Sequence, residues 1–148
     1  MFSRLINTSS SAGVFMSSSA HPSRPVSPHL QIWRFTVTMA ASITHRGTGM
    51  VLYGGSMLIA FWAYALAFSP SLFAGVSGFV KSPIGFVIVA GYVWALCFHL
   101  MNGLRHLYWD SGRGLAPKTA SMTAWLIYTA SLALAAIILW TGYAGMGA

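Results

Sequence analysis

Hydrophobic positions in this chain gather into three long stretches free of charge. No Asp, Glu, Lys or Arg occurs from Gly47 to Val80, from Ser82 to Leu104, or from Thr119 to the last residue. Each stretch exceeds the roughly 20 residues that an α-helix needs to cross about 30 Å of hydrocarbon. They predict three transmembrane helices, over about residues 38–68, 83–108 and 119–143, the first with its polar beginning at the membrane interface. Proline and glycine set the limits. Ser69-Pro70 ends the first span and Ser82-Pro83 opens the second, because proline suits a first helical turn and breaks an interior. Ser111-Gly112-Arg113-Gly114 and Ala116-Pro117 separate the second from the third.

Composition agrees with an all-α membrane protein. The chain is 56% hydrophobic and only 6% charged, more apolar surface than a soluble domain of 148 residues could hide. A net charge of +7 would suit nucleic acid, but its distribution argues otherwise. Arg4, Arg24, Arg34, Arg46, Arg105, Arg113 and Lys118 fall on one side of a three-span layout, and only Lys81 falls on the other. This is the positive-inside pattern. It places the N-terminus on the cytoplasmic or matrix side of an inner membrane, bacterial or mitochondrial, and the C-terminus outside. The partners it implies are lipid headgroups or a soluble protein on the inner side, with no nucleic acid.

Ahead of the spans, residues 1–23 are rich in serine, with one arginine and no acid, and read as a flexible tail or a targeting segment. That composition partly resembles a mitochondrial targeting segment; an interior-facing tail or an upstream start codon fits as well. Residues 24–37 read as an interfacial segment. Pro25 and Pro28 keep it extended or turned, and Trp33 and Arg34 are placed to anchor at headgroup level. Cys97 is the single cysteine, so the chain has no internal disulfide, and no CxxCH motif offers covalent haem attachment. In an apolar span Cys97 reads as a small buried hydrophobe rather than a metal ligand.

Two clusters carry chemistry. The first is HLMNGLRHLYW, His99 to Trp109, followed by Asp110, the only acidic residue. An ionisable side chain inside a membrane helix is costly and points to function. His99 and His106 are seven residues apart, on one helix face and about 10 Å apart along the axis. Gly103 leaves a notch on the same stripe. An imidazole, a notch, and Arg105 and His106 at the helix end describe one side of a pocket for a flat, anionic, metal-bearing group, with haem the evident candidate. The alternative is that His99 is only a polar contact within a bundle.

The second cluster is SITHRGTG, Ser42 to Gly49. Ser42 and Arg46 are four residues apart and share a face. A hydroxyl and a guanidinium there can hold the oxygens of a quinone in an apolar slot. His45, on a face rotated by about 100°, can meet a carboxylate of a cofactor. The same residues at a helix entrance would also simply satisfy the headgroup region. Gly47, Gly49, Gly54 and Gly55 would permit close helix packing.

Together, Arg24-Pro25, Ser42, His45, Arg46 and Thr48, then His99, Gly103, Arg105, His106, Asp110 and Gly112, resemble the cytochrome b subunits of succinate dehydrogenase, the larger membrane anchors of respiratory complex II. The resemblance covers roughly residues 24–143. It implies three transmembrane helices forming half of a haem-binding bundle, completed by a smaller membrane-anchor subunit. It implies an iron–sulfur subunit and a flavoprotein subunit that hold the iron–sulfur clusters and FAD, and electron flow from succinate to ubiquinone, joining the tricarboxylic acid cycle to respiration. His99 would be one axial ligand of haem b, with the other histidine from the smaller anchor. His45, Arg46, Arg105 and His106 would lie near the haem propionates, and Ser42 and Arg46 at the quinone. The chain alone would not be catalytic, since it has neither a dinucleotide fingerprint nor a cysteine cluster. A fumarate reductase anchor and a non-haem structural anchor are the alternatives.

Overall fold

The computed structural model describes residues 33–146. The tail over 1–23 and most of the segment over 24–37 lie outside the described residues. Four helices follow in order: α1 Val37–Phe68, α2 Pro70–Val80, α3 Pro83–Asp110 and α4 Pro117–Met146. α1, α3 and α4 are the three spans expected from the charge-free stretches.

Helix boundaries fall where side chains can satisfy the unpaired amides of a first turn. Thr36 caps α1, its Oγ1 accepting from the Met39 amide at 3.3 Å. Ser82 caps α3 in the same way, accepting from the Gly85 amide at 3.1 Å, with Pro83 as the first helical residue. Ser69 serves two helices. Its amide donates to the Ala65 carbonyl at 2.9 Å and closes α1, while its Oγ accepts from Leu72 and opens α2. At the end of α3, Gly112 takes φ +77°, the left-handed conformation that glycine adopts without strain, and its amide returns to the Trp109 carbonyl at 2.8 Å.

One element departs from expectation. Residues 69–82 read as a connection, yet they contain α2. The Ser69-Pro70 pair that stops α1 is also a helix start. The apolar side chains that follow give α2 something to bury: the Phe73 ring stacks on Trp62 of α1 at 5.8 Å.

α3 is the central helix, packing against both α1 and α4, and α1 also touches α4. Ala41, Phe98, Ala124 and Ile127 form the core, with Val37, Trp94, Met101 and Tyr128 against it. Small residues let backbones approach, the usual device where lipid removes any hydrophobic drive between helices. Of the four glycines expected to help, Gly55 accommodates the Tyr92 ring and Gly49 lies against His99, whereas Gly47 and Gly54 face open space. The Thr44 and Tyr128 hydroxyls are 2.8 Å apart and join α1 to α4.

The chain is a multi-pass membrane protein, and much of it is unpaired. α1 buries only Ala41, Thr48 and Ala65 of its 32 residues. Met50 and Trp140 are each 74% exposed and Phe68 is 73% exposed. Apolar surface on this scale is covered by lipid or by a second protein. The start of α1, the end of α3 and the start of α4 share one end of the bundle, which carries Arg34, Arg46, Arg105, Arg113 and Lys118. Lys81 sits at the other end.

Candidate functional site

The antiparallel pairing of α1 with α3 brings the two sequence clusters together, within about 12–16 Å of the basic end by helix rise. The His45 and His99 rings stack, centroids 4.0 Å apart and 10° from parallel. His45 also meets His106, at 5.3 Å.

The surroundings of His99 dictate its chemistry. Its Nδ1 lies 3.2 Å from the His45 carbonyl oxygen and 3.3 Å from Thr48 Oγ1. Thr48 Oγ1 itself donates to that carbonyl at 2.9 Å. A carbonyl can only accept, so the ring proton sits on Nδ1 and the lone pair is on Nε2. A metal-ligating histidine is oriented in this way, its second nitrogen bonded to a backbone carbonyl. Gly49 makes room for the ring: a Cβ there would sit 3.2 Å from His99 Cε1.

These residues fit an iron that arrives inside a flat macrocycle. Among the described residues, no three His, Cys, Asp or Glu side chains are placed to hold a metal ion between them. A single imidazole with its lone pair presented is what a metal already held in a ring requires. His45 Nδ1 is buried without a hydrogen-bond partner, an uncommon and expensive state that an added acceptor or donor would relieve. A Cβ at Gly103 would meet nothing within 4 Å, so the notch beside His99 is open. Cys97 is buried and free, as a small core residue.

Ser42 and Arg46 lie on an adjacent, exposed face of α1. Arg46 folds back on Ser42, with Nε 3.3 Å from the Ser42 carbonyl and Nη2 3.5 Å from Ser42 Oγ. Those two bonds use two of the five guanidinium donors.

Arg105 connects to the histidines through Asn102. It is buried and turned toward α4. Its Nη2 donates to the Ala120 carbonyl at 2.6 Å, its Nε to Thr123 Oγ1 at 3.1 Å and its Nη1 to Asn102 Oδ1 at 3.4 Å. The guanidinium carbon also stands 4.0 Å over the Trp109 ring. All these partners are uncharged, and the bonds to Ala120 and Thr123 clamp α3 to α4. Arg105 directly precedes His106, and one residue is about 100° of helix, which carries its side chain off the histidine face.

Three contributors were not singled out for these roles by sequence: Gly49, Asn102 and Thr123. Asn102 and Thr123 carried a signal, since a polar side chain inside a span must find a partner. Gly49 carried none beyond its place in a run of glycines. A groove of about 580 Å³ lies far from the histidines, at the opposite end of α3 and α4, lined by Lys81, Phe86, Trp140 and Tyr143 among others. The histidine cluster is instead an open flank, with His45 and His99 half-buried and His106 exposed.

Comparison with known proteins agrees with this architecture. A family profile described as succinate dehydrogenase/fumarate reductase transmembrane subunit matches residues 20–138. The succinate dehydrogenase cytochrome b556 subunit of Paracoccus denitrificans is 41% identical over 116 residues, 78% of this chain and 89% of the relative. The protein of the same name from Rickettsia prowazekii is 34% identical over 117 residues, 79% of this chain and 90% of the relative. The mitochondrial succinate dehydrogenase cytochrome b560 subunit of Mus musculus is 39% identical over 107 residues, 69% of this chain and 62% of the relative.

Proposed function

The chain belongs to the family of succinate dehydrogenase/fumarate reductase transmembrane subunits, and from that premise we propose that it is the cytochrome b membrane anchor of a succinate:quinone oxidoreductase. It holds haem b through His99 and offers Ser42 and Arg46 to ubiquinone. A smaller anchor subunit would supply a second histidine to the haem. An iron–sulfur subunit and a flavoprotein with FAD dock on the basic end, which faces the cytoplasm or matrix of an inner membrane. The names of the relatives favour succinate oxidation over fumarate reduction.

The observation that carries this reading is the Nδ1 lock on His99, made by the His45 carbonyl and Thr48. It leaves Nε2 as a Lewis base on an open flank. When bound, haem supplies a one-electron redox centre. This chain would hold the haem through His99, whose ring the His45 carbonyl and Thr48 orient. His45, Arg46, Arg105 and His106 would serve the haem carboxylates as donors. Arg46 and Ser42 do the work at the quinone. Reduction builds negative charge on the quinone oxygens; the hydroxyl donates to one oxygen and the guanidinium stabilises the charge while protons arrive.

The test is a reduced-minus-oxidised spectrum of the assembled complex. His99→Ala is expected to abolish the low-spin b-type signal, and Gly103→Leu to weaken it by filling the notch. An unchanged spectrum in a stably assembled His99→Ala complex would exclude His99 as the ligand.

A further inference from the structure

Asn102 is 1% exposed, a buried amide inside a membrane span. Its two ends are committed to different neighbours. Oδ1 accepts from Arg105 Nη1 at 3.4 Å, and Nδ2 lies 3.3 Å from His106 Nε2. The direction of this chain follows from donor inventory. A guanidinium has donors and no acceptor, so the amide oxygen must face Arg105. The amide N–H groups then face His106. A proton on Nε2 would point at another N–H, so Nε2 accepts and the ring proton resides on Nδ1. Arg105 in turn is fixed by the Ala120 carbonyl and Thr123 of α4. The tautomer of a histidine on α3 is therefore set by α4, through two buried side chains.

We propose that Asn102 is a positioning residue: held by Arg105, it fixes His106 as the Nδ1–H tautomer and makes it a hydrogen-bond donor to a carboxylate of the bound haem. The inference rests on the haem reading above and adds a residue and a direction to it. His99 and His106 then carry the ring proton on the same nitrogen for opposite purposes. His99 spends its N–H on a backbone carbonyl and presents a lone pair. His106 spends its lone pair on Asn102 and presents an N–H. A donor on the carboxylate withdraws negative charge from the vicinity of the iron and favours the ferrous state.

Two measurements on the haem-containing complex test this. In ¹⁵N-histidine-labelled complex, with His106→Gln to assign the signal, solid-state NMR should find Nδ1 protonated and Nε2 bare at His106; a proton on Nε2 would overturn the proposal without any substitution at Asn102. The second is a double-mutant cycle on the haem midpoint potential. Asn102→Leu and His106→Phe should each lower the potential, and the double variant should fall no lower than His106→Phe alone, because Asn102 acts through His106. Shifts that add, or a potential indifferent to His106→Phe, overturn the proposal in a haem-replete complex. Absence of haem from the unsubstituted complex overturns the haem reading as well, so the two failures are distinguishable.

Discussion

A histidine can serve as a Lewis base or as a hydrogen-bond donor, and the group on its other nitrogen decides which. At His99 that group is a backbone carbonyl shared with Thr48. Thr48→Val keeps the shape and removes the hydroxyl that contacts the ring, and loss of such an orienting contact typically costs about 10–100-fold in metal affinity. Haem per flavin in the purified complex is expected to fall below one in that variant, while His99 stays in place. Ser42 and Arg46 make a separate prediction. Ser42→Ala and Arg46→Lys should each lower quinone reductase turnover at least tenfold, about 1.4 kcal/mol of transition-state stabilisation. Succinate oxidation by an artificial acceptor that draws electrons from the soluble subunits should continue. Parallel loss of both activities would point to failed assembly and leave the quinone assignment without support. At this scale the pairing of Ser42 with Arg46 was legible from a spacing of four. The pairing of His45 with His99 was not, because the register between α1 and α3 depends on how Gly49, Gly55 and the small core residues let them approach.

Among the elements, the three spans were readable almost to the residue. Proline, serine and charge mark helix ends for reasons local to the chain, and α1, α3 and α4 begin within about two residues of where those signals put them. α2 was hidden because its eleven residues are too few to span, and Ser71 and Ser77 alone, in a run of apolar and small residues, do not mark out a polar face. Arg105 shows a different limit. Its neighbour in sequence is His106, but its neighbours in space are Ala120 and Thr123, and only the α3–α4 contact decides that. Arg105→Leu removes three hydrogen bonds between or within these helices, each worth about 0.5–3 kcal/mol depending on its environment. The heat-inactivation midpoint of the assembled complex should drop clearly in this variant and only slightly in Thr123→Val, which removes a single Arg105 partner. Equal stability of both variants and the unsubstituted protein would show that the clamp is dispensable.

For the whole molecule, the notable quantity is how little of it is inside. Three long apolar helices leave α1 with three buried residues and the histidines on an open flank. A b-type electron-transfer haem wants two strong ligands, and on the reading proposed here His99 would supply one of them. Expressed without its partners, the chain should be recovered with no low-spin bis-histidine haem spectrum, and co-expression with a smaller anchor subunit should restore it. A full spectrum from the isolated chain would mean that both ligands come from copies of this protein. The apolar excess and the one-sided distribution of charge were plain from the sequence. Which flank stays bare was not, since that depends on the order in which α1, α3 and α4 pack.

The bond that fixes the His99 proton has one further consequence, for inheritance. Its main acceptor is a peptide oxygen, which no codon at position 45 can alter. The imidazole of His45 can therefore change without breaking that bond, while the carbonyl beneath it goes on holding the His99 proton for as long as the helix keeps its shape. Two duties sit on one residue, and only one of them is exposed to mutation. Lineages that have replaced this histidine should still carry the axial ligand in the same tautomer.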